Sequence, residues 1–440
     1  MKKLVLFLFL GSNVFGQIQF IEQKNGPKLS YSSSSGVNIL QIDGYQFKDL
    51  NKNSQLDPYE DWRLSVSERA KDLASKMSAE QIAGLMLYSA HQSIPARPGG
   101  YFAGTYGGKP FDPATMENYL LTDQQKKFLS EDNLRHVLVT TVSSPTDAAI
   151  WSNNIQAYCE SVGLGIPANN SSDPRHGTQA RAEFNAAAGG LISMWPSSLG
   201  MAASFDPSLV KEFGTIAAKE YRALGITTAL SPQIDIATEP RWNRFDGTFG
   251  ENSTMAAKFA RAYVDGFQGE NWGLNSVNAM VKHWPGGGAG ESGRDAHYGI
   301  GKFAVYPGNN FDEHMVPFLE GAFKLDGKTK MASAVMPYYT ISLDQDKKYG
   351  ENVGNGYSQY ILTDLLRKKY GYNGVICTDW LVVAPHREID NFINGKPWGI
   401  ENLNLVELQL KALMAGVDQY GGNNDKTPVL AAFDLGAEKI

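Results

Sequence analysis

Short apolar, β-branched runs alternate with helical stretches over roughly 350 residues of this chain, and this alternation restricts the fold more than any other feature. The runs are Val137–Val142, Ile226–Ile236, Val277–Lys282, Met331–Met336, Gly374–Asp379 and Gly416–Gln419. Between and around them lie helical patterns at about 146–161, 206–224, 253–271, 312–325, 358–370 and 402–415. A strand handing over repeatedly to a helix predicts an α/β fold with a mainly parallel sheet covered by helices, either doubly wound or closed as a (β/α)8 barrel. No Gly-x-Gly-x-x-Gly follows a strand with an acidic residue about 20 positions on, so dinucleotide binding lacks its main support.

The 440 residues, 42% hydrophobic and 20% charged, suffice for a sizeable core. A net charge of -6 argues against sequence-independent binding to a phosphate backbone, so no nucleic-acid partner is expected. Met1-Lys2-Lys3, the apolar run Leu4–Leu10 and the small residues before Gln17 read as a signal peptide over 1–16. Secretion or a periplasmic location follows, and no later run is long enough for a membrane span. With only Cys159 and Cys377, buried thiols are expected in place of a disulfide framework.

Residues 17–62 read as an irregular extension. Within it Asp49, Asn51, Asn53, Gln55, Asp57 and Glu60 follow the spacing of a 12-residue EF-hand loop, with Ser54 where the turn normally has Gly. A structural Ca²⁺ site and a metal-free Asx-turn loop both fit. Ser65-Val-Ser-Glu68 and Ser78-Ala-Glu-Gln81 are capping boxes, the second leading into a helix through Tyr88. The Gly/Pro/aromatic stretch 92–122 is longer than a connection needs, which points to a functional loop.

Ionisable residues recur where the strands end. Asp173-Pro-Arg175-His176 is one cluster, and Glu239-Pro-Arg241-Trp-Asn-Arg244 follows the run ending at Ile236. Lys282-His283-Trp-Pro-Gly-Gly-Gly, Met336-Pro-Tyr338-Tyr339 and Asp379-Trp380 complete the series. Catalytic groups of parallel α/β folds collect at these ends. An Asp at the end of an apolar strand beside an aromatic plane can attack an anomeric carbon, while Lys282, His283 and Arg244 supply donors for hydroxyls and developing charge. The set reads as a sugar pocket.

Three of these motifs, Lys282-His283-Trp-Pro-Gly-Gly-Gly, Arg241-Trp-Asn-Arg244-Phe-Asp-Gly-Thr-Phe-Gly-Glu251 and Gly374-Val-Ile-Cys-Thr-Asp379-Trp380, resemble the N-terminal domain of glycoside hydrolase family 3, a group of β-glucosidases, β-xylosidases and exo-β-glucanases. The resemblance covers roughly 60–425. It implies a retaining exo-β-glycosidase on a (β/α)8 TIM-barrel-like domain over 63–425, acting on terminal β-glucosyl residues without a catalytic cofactor. Asp379 would be the nucleophile. Asp173, Arg244, Lys282, His283, Met336, Tyr339 and Trp380 would line the sugar subsite, with Arg294 as a further pocket arginine. The family's second α/β sandwich domain, which carries the acid/base of its larger members, is expected to be absent, with 426–440 as a tail or the start of a linker, and activity is expected to be impaired. Asp295-Ala-His297 resembles the Asp-x-His dyad of single-domain β-N-acetylglucosaminidases, but Gly287 and Ala289 depart from their motif. It therefore reads as a structural loop pair, leaving that activity and a non-catalytic sugar-binding fragment as alternatives.

Overall fold

The computed structural model describes residues 18–97, 99, 103–177, 191–386 and 391–438. The expected signal peptide lies outside them. The chain forms two compact units, one comprising residues up to Met77 with Asn154–Pro167, the other Ser78–Asn153 with Ala168–Ile440. Among the described residues no helix is long and apolar enough to cross a membrane.

The first unit corrects the expectation of an irregular extension. Ile18–Ile21 pairs antiparallel with Leu29–Ser32, and Asn38–Ile42 with Tyr45–Asp49. Asp43-Gly44, both with positive φ (52° and 79°), supply the tight turn that the right-handed twist of the second hairpin requires. Phe47, fully buried, stacks on Trp62 at 5.4 Å. The unit extends past 62 because helix Val66–Lys76, opened by the Ser65/Glu68 capping box, is tied back to it. Asp72 accepts the Tyr59 amide at 3.1 Å, and Lys76 pairs with Asp57 at 2.8 Å.

The second unit is built on a parallel sheet whose strands we label β1 (Leu87–Tyr88), β2 (His136–Val142), β3 (Asn169–Ser172), β4 (Thr228–Ala229), β5 (Asn278–Trp284), β6 (Ala334–Pro337), β7 (Val375–Ile376) and β8 (Tyr420–Gly421). Each of β1 to β6 pairs with the next in chain order, and β8 pairs with β1. A parallel bridge between Cys377 and Gln419 joins the β7 and β8 ends. Gln92–Ile94 adds to β2 from outside this path. The interior is filled by Tyr88, Leu138, Leu230, Met280, Met336 and Cys377, one inward residue from nearly every strand. Cys159 and Cys377 are both buried thiols, as expected.

Helices form where the sequence placed them. Asp206 caps Pro207–Ala223, which buries one face, and Asn252 caps Ser253–Gln268, which is buried on all sides over Ala262–Gln268. These two cross closely: a Cβ on Gly266 would lie 2.6 Å from the Lys211 carbonyl, so only glycine fits there. Two assignments change. The helix from Ser78 ends at Leu85, because Leu87 and Tyr88 are drawn into the sheet as β1. The expected tail is a helix, Thr427–Ala437, burying Val429 and Ala432, with Gly436 against Leu410 of helix Leu405–Ala415.

Helix Leu405–Ala415 delivers the chain to β8, and its cap is specific: Asn404 accepts the Val406 and Glu407 amides at 3.0 and 3.1 Å, and Glu407 accepts the Asn404 amide at 2.9 Å. Asn404→Ala should cost about 1 kcal/mol in urea unfolding. An unchanged midpoint would contradict the cap.

Candidate active site

Side chains from successive strand ends meet in one cleft of about 670 Å³. Asp173 follows β3, Arg244 comes from the loop after β4, Lys282 lies in β5, Met336 in β6 with Tyr339 just beyond, and Asp379 and Trp380 follow β7. All of these predicted residues line the cleft. His283 stands behind the wall, fully buried, its Nε2 3.8 Å from Asp379 Oδ2.

The two oxygens of Asp379 are treated differently. Oδ1 accepts the Tyr339 hydroxyl at 2.8 Å and the Trp380 amide at 2.7 Å. Oδ2 is buried and has no hydrogen-bond partner, and the same is true of His283 Nε2. Trp380 is held in turn by its indole N–H on the Ser89 carbonyl at 3.2 Å and by an edge contact with Tyr88. Lys282 Nζ donates to Asp173 Oδ1 at 2.9 Å, a charge-assisted pair with both side chains nearly buried.

The glycines after His283 have a steric reason. Gly286 holds φ at 139°, and a Cβ on Gly288 would lie 1.9 Å from the Ile236 carbonyl. The loop passes so close because it wraps Asp235, a carboxylate with no exposure at all. Asp235 Oδ2 accepts His283 Nδ1 at 2.7 Å, and Oδ1 accepts the amides of His283 and Gly287 at 3.0 and 2.5 Å. Burial pushes the Asp235 carboxyl up, but His283 and the two amides outweigh it and hold it below the usual carboxylate range. Burial, followed by the charge of Arg244, lowers the basicity of His283 despite the two carboxylates beside it. Asp235 was missed in the sequence. Its signal was a lone carboxylate inside the apolar run Ile234-Asp235-Ile236, which burial makes costly without a partner.

Other expectations shift. Arg294 does not reach the cleft: its side chain is half-exposed, 3.5 Å from Glu291. The described part of 92–122 contributes no lining residue, whereas Phe392, Ile393 and Lys396 do, together with His91. Residues 391–396 follow no strand-end pattern, so nothing in the sequence pointed to them. Asp295 and His297 do pair, Oδ1 to Nδ1 at 2.7 Å, and Asn243 also donates to Asp295 at 2.8 Å. His297 lies on the cleft wall, stacked on Phe392 at 4.2 Å.

The EF-hand-like loop is held by its own hydrogen bonds. Asp49 accepts the Asn53 and Ser54 amides, Glu60 those of Leu50, Asn51 and Asp57, and Asp57 takes the side-chain amides of Asn51 and Asn53 besides Lys76. Gln55 gives its amide N–H to the Asn53 side chain. Among the described residues no three His, Cys, Asp or Glu side chains gather to hold a metal.

Three comparisons bear on the cleft. The model of the glycosyl hydrolase family 3 N terminal domain matches residues 112–434. The chain is 40% identical over 418 residues to a periplasmic beta-glucosidase/beta-xylosidase of Dickeya chrysanthemi, covering 91% of this chain and 60% of that protein. It is 36% identical over 375 residues to beta-glucosidase C of Emericella nidulans, covering 85% and 56%. The chain thus spans somewhat over half the length of the curated relatives it matches. In fold it is similar to a family 3 β-N-acetylglucosaminidase from Paenibacillus (TM-score 0.59, 22% identity, 83% of this chain and 58% of that one). It is equally similar to a β-glucosidase from Erythrobacter marinus (TM-score 0.60, 23% identity, 87% and 44%).

A pH prediction follows from the loop pair. Burial raises the Asp295 carboxyl, but the bonds from His297 and Asn243 prevail and hold it well below its ordinary value. A carboxylate lowered in the fold stabilises above its unfolded value, about 3.9, and loses that contribution as pH falls through the lower native value. Asp295→Asn should therefore destabilise at pH 7, and the difference from the parent should shrink below about pH 4 in urea unfolding. A difference that grows on acidification would contradict the assignment.

Proposed function

The chain belongs to glycosyl hydrolase family 3, and on that premise we propose that it is a retaining exo-acting β-glycosidase that removes terminal β-D-glucosyl residues from β-glucosides or short β-glucans. The observation that carries this reading is Asp379, with one oxygen fixed by Tyr339 and Trp380 and the other bare and buried in a cleft that also holds Asp173, Lys282 and Arg244. The bare Oδ2 attacks the anomeric carbon as the bond to the aglycone oxygen breaks, and that oxygen takes up a proton from solvent. Water then cleaves the glycosyl–Asp379 ester and restores the carboxylate. The Lys282–Asp173 pair and Arg244 grip hydroxyls, while Trp380 offers a ring face. No cofactor enters this chemistry. A secreted or periplasmic location accords with the leader-like sequence over 1–16 and with the periplasmic relative.

A second reading, a β-N-acetylglucosaminidase, rests on the Asp295–His297 pair, because His297 lies on the cleft wall with Nδ1 committed to Asp295. His297→Gln and a comparison of acetamido with plain aryl glycosides separate the two.

General acid catalysis is worth about 10²–10⁴-fold, so an aryl glucoside whose leaving group needs no protonation isolates the nucleophile. With 2,4-dinitrophenyl β-glucoside, Asp379→Gly should lose at least about 10³-fold in kcat and be rescued by azide, giving the α-glucosyl azide. Arg294→Ala should stay within about twofold of the parent. Full activity of the Asp379 variant, or glucose binding without turnover by the parent, would overturn the reading.

A further inference from the structure

Two buried atoms face each other across 3.8 Å just behind the cleft wall, His283 Nε2 and Asp379 Oδ2, and neither has a hydrogen-bond partner. The state of the first is decided on the far side of its ring. Asp235 is fully buried and accepts three N–H bonds, those of His283 Nδ1, the His283 amide and the Gly287 amide. A carboxylate in that setting is ionised and can only accept. Nδ1 therefore carries the proton that points at Asp235. Burial and Arg244 oppose a second proton on the ring, so Nε2 presents a lone pair. The Tyr338 ring, 4.5 Å from the imidazole, packs beside it.

We propose that Asp235 is a positioning residue that fixes His283 as the Nδ1–H tautomer, so that Nε2 acts as a hydrogen-bond acceptor beside the nucleophile and requires one hydroxyl of the bound sugar to donate to it. This rests on the sugar-site reading above and adds a specificity rule. At that one ring position a hydroxyl is accepted, whereas hydrogen leaves Nε2 unpaired and fluorine sets an acceptor against an acceptor. A buried acceptor left unmatched is costly, which makes the discrimination large.

Asp235→Asn tests the tautomer with almost no change in shape. The Asn oxygen stays with the two backbone amides and its NH₂ turns to His283 Nδ1, which moves the ring proton to Nε2. The parent protein should show one ring position, among aryl β-glucosides singly deoxygenated or fluorinated at C3, C4 or C6, where fluorine lowers kcat/KM by more than about tenfold beyond deoxygenation elsewhere, C2 being left out because fluorine there slows the oxocarbenium-like step by itself. Asp235→Asn should lower kcat/KM for the unmodified glucoside by about 10–100-fold, the scale of one lost buried hydrogen bond, and remove the penalty for fluorine at that position. A merely structural Asp235 would lower all substrates alike and leave the fluorine penalty in place, which would overturn the proposal. A second measurement needs neither turnover nor the variant. Histidine ring ¹⁵N shifts of the full chain, with the His283 signals assigned through His283→Gln, should show Nδ1 protonated and Nε2 bare, and a protonated Nε2 would refute the proposal. If no glucoside is hydrolysed by any form, the sugar-site reading fails while the ¹⁵N shifts still decide the tautomer.

Discussion

Hydrogen bonds between β7 and β8 join the two ends of the parallel sheet, and the placement of the cleft depends on them. The Ile376 carbonyl accepts the amides of Asp418 and Gln419, the Thr378 amide donates to the Gln419 carbonyl, and Leu381 donates to Gly421. Parallel strands carry their C-terminal ends on one side, so joining first to last sets Asp379 opposite Lys282 and beside Met336 and Tyr339. The interior residues Met280, Met336, Leu138 and Tyr88 support that arrangement from below. Burying each such side chain is worth about 1.5–3 kcal/mol.

On this frame the charges are arranged as neighbours that compensate one another. Lys282 neutralises Asp173, and Asp235 is satisfied by three N–H groups. Asp379, in the same cleft, keeps one buried oxygen without a hydrogen-bond partner. In a low-dielectric site an uncompensated carboxylate oxygen is expensive, and folds keep such groups where chemistry uses them. The close passage of Gly288 beside the Ile236 carbonyl is part of the same arrangement, since it brings the Gly287 amide onto Asp235.

Much of this was legible in the sequence. Short apolar, β-branched runs alternating with helical stretches gave the parallel α/β layout, and polar residues at the run ends marked Asp173, Arg244, Lys282, Met336, Tyr339, Asp379 and Trp380. What escaped has physical causes. Leu87–Tyr88 is a two-residue strand after a helical pattern, too short for periodicity to register. The Asp43-Gly44 turn was present, but its hairpin strands are five residues each and mostly half-buried, too short to stand out from the polar segment around them. Thr427–Ala437 follows a glycine-rich segment that resembled an ending. Phe392, Ile393 and Lys396 reach the cleft by tertiary folding of a loop, and Arg294 misses it because the same kind of loop carries it toward Glu291.

The central claim is that Asp379 forms a covalent bond to the sugar. Incubating the chain with 2,4-dinitrophenyl 2-deoxy-2-fluoro-β-glucoside, digesting it and sequencing the peptides by mass spectrometry tests this most directly. The account predicts one equivalent of dinitrophenolate released and a 2-deoxy-2-fluoroglucosyl group on the peptide containing Asp379. A label on any other residue, or release of dinitrophenolate with no labelled peptide, would contradict it.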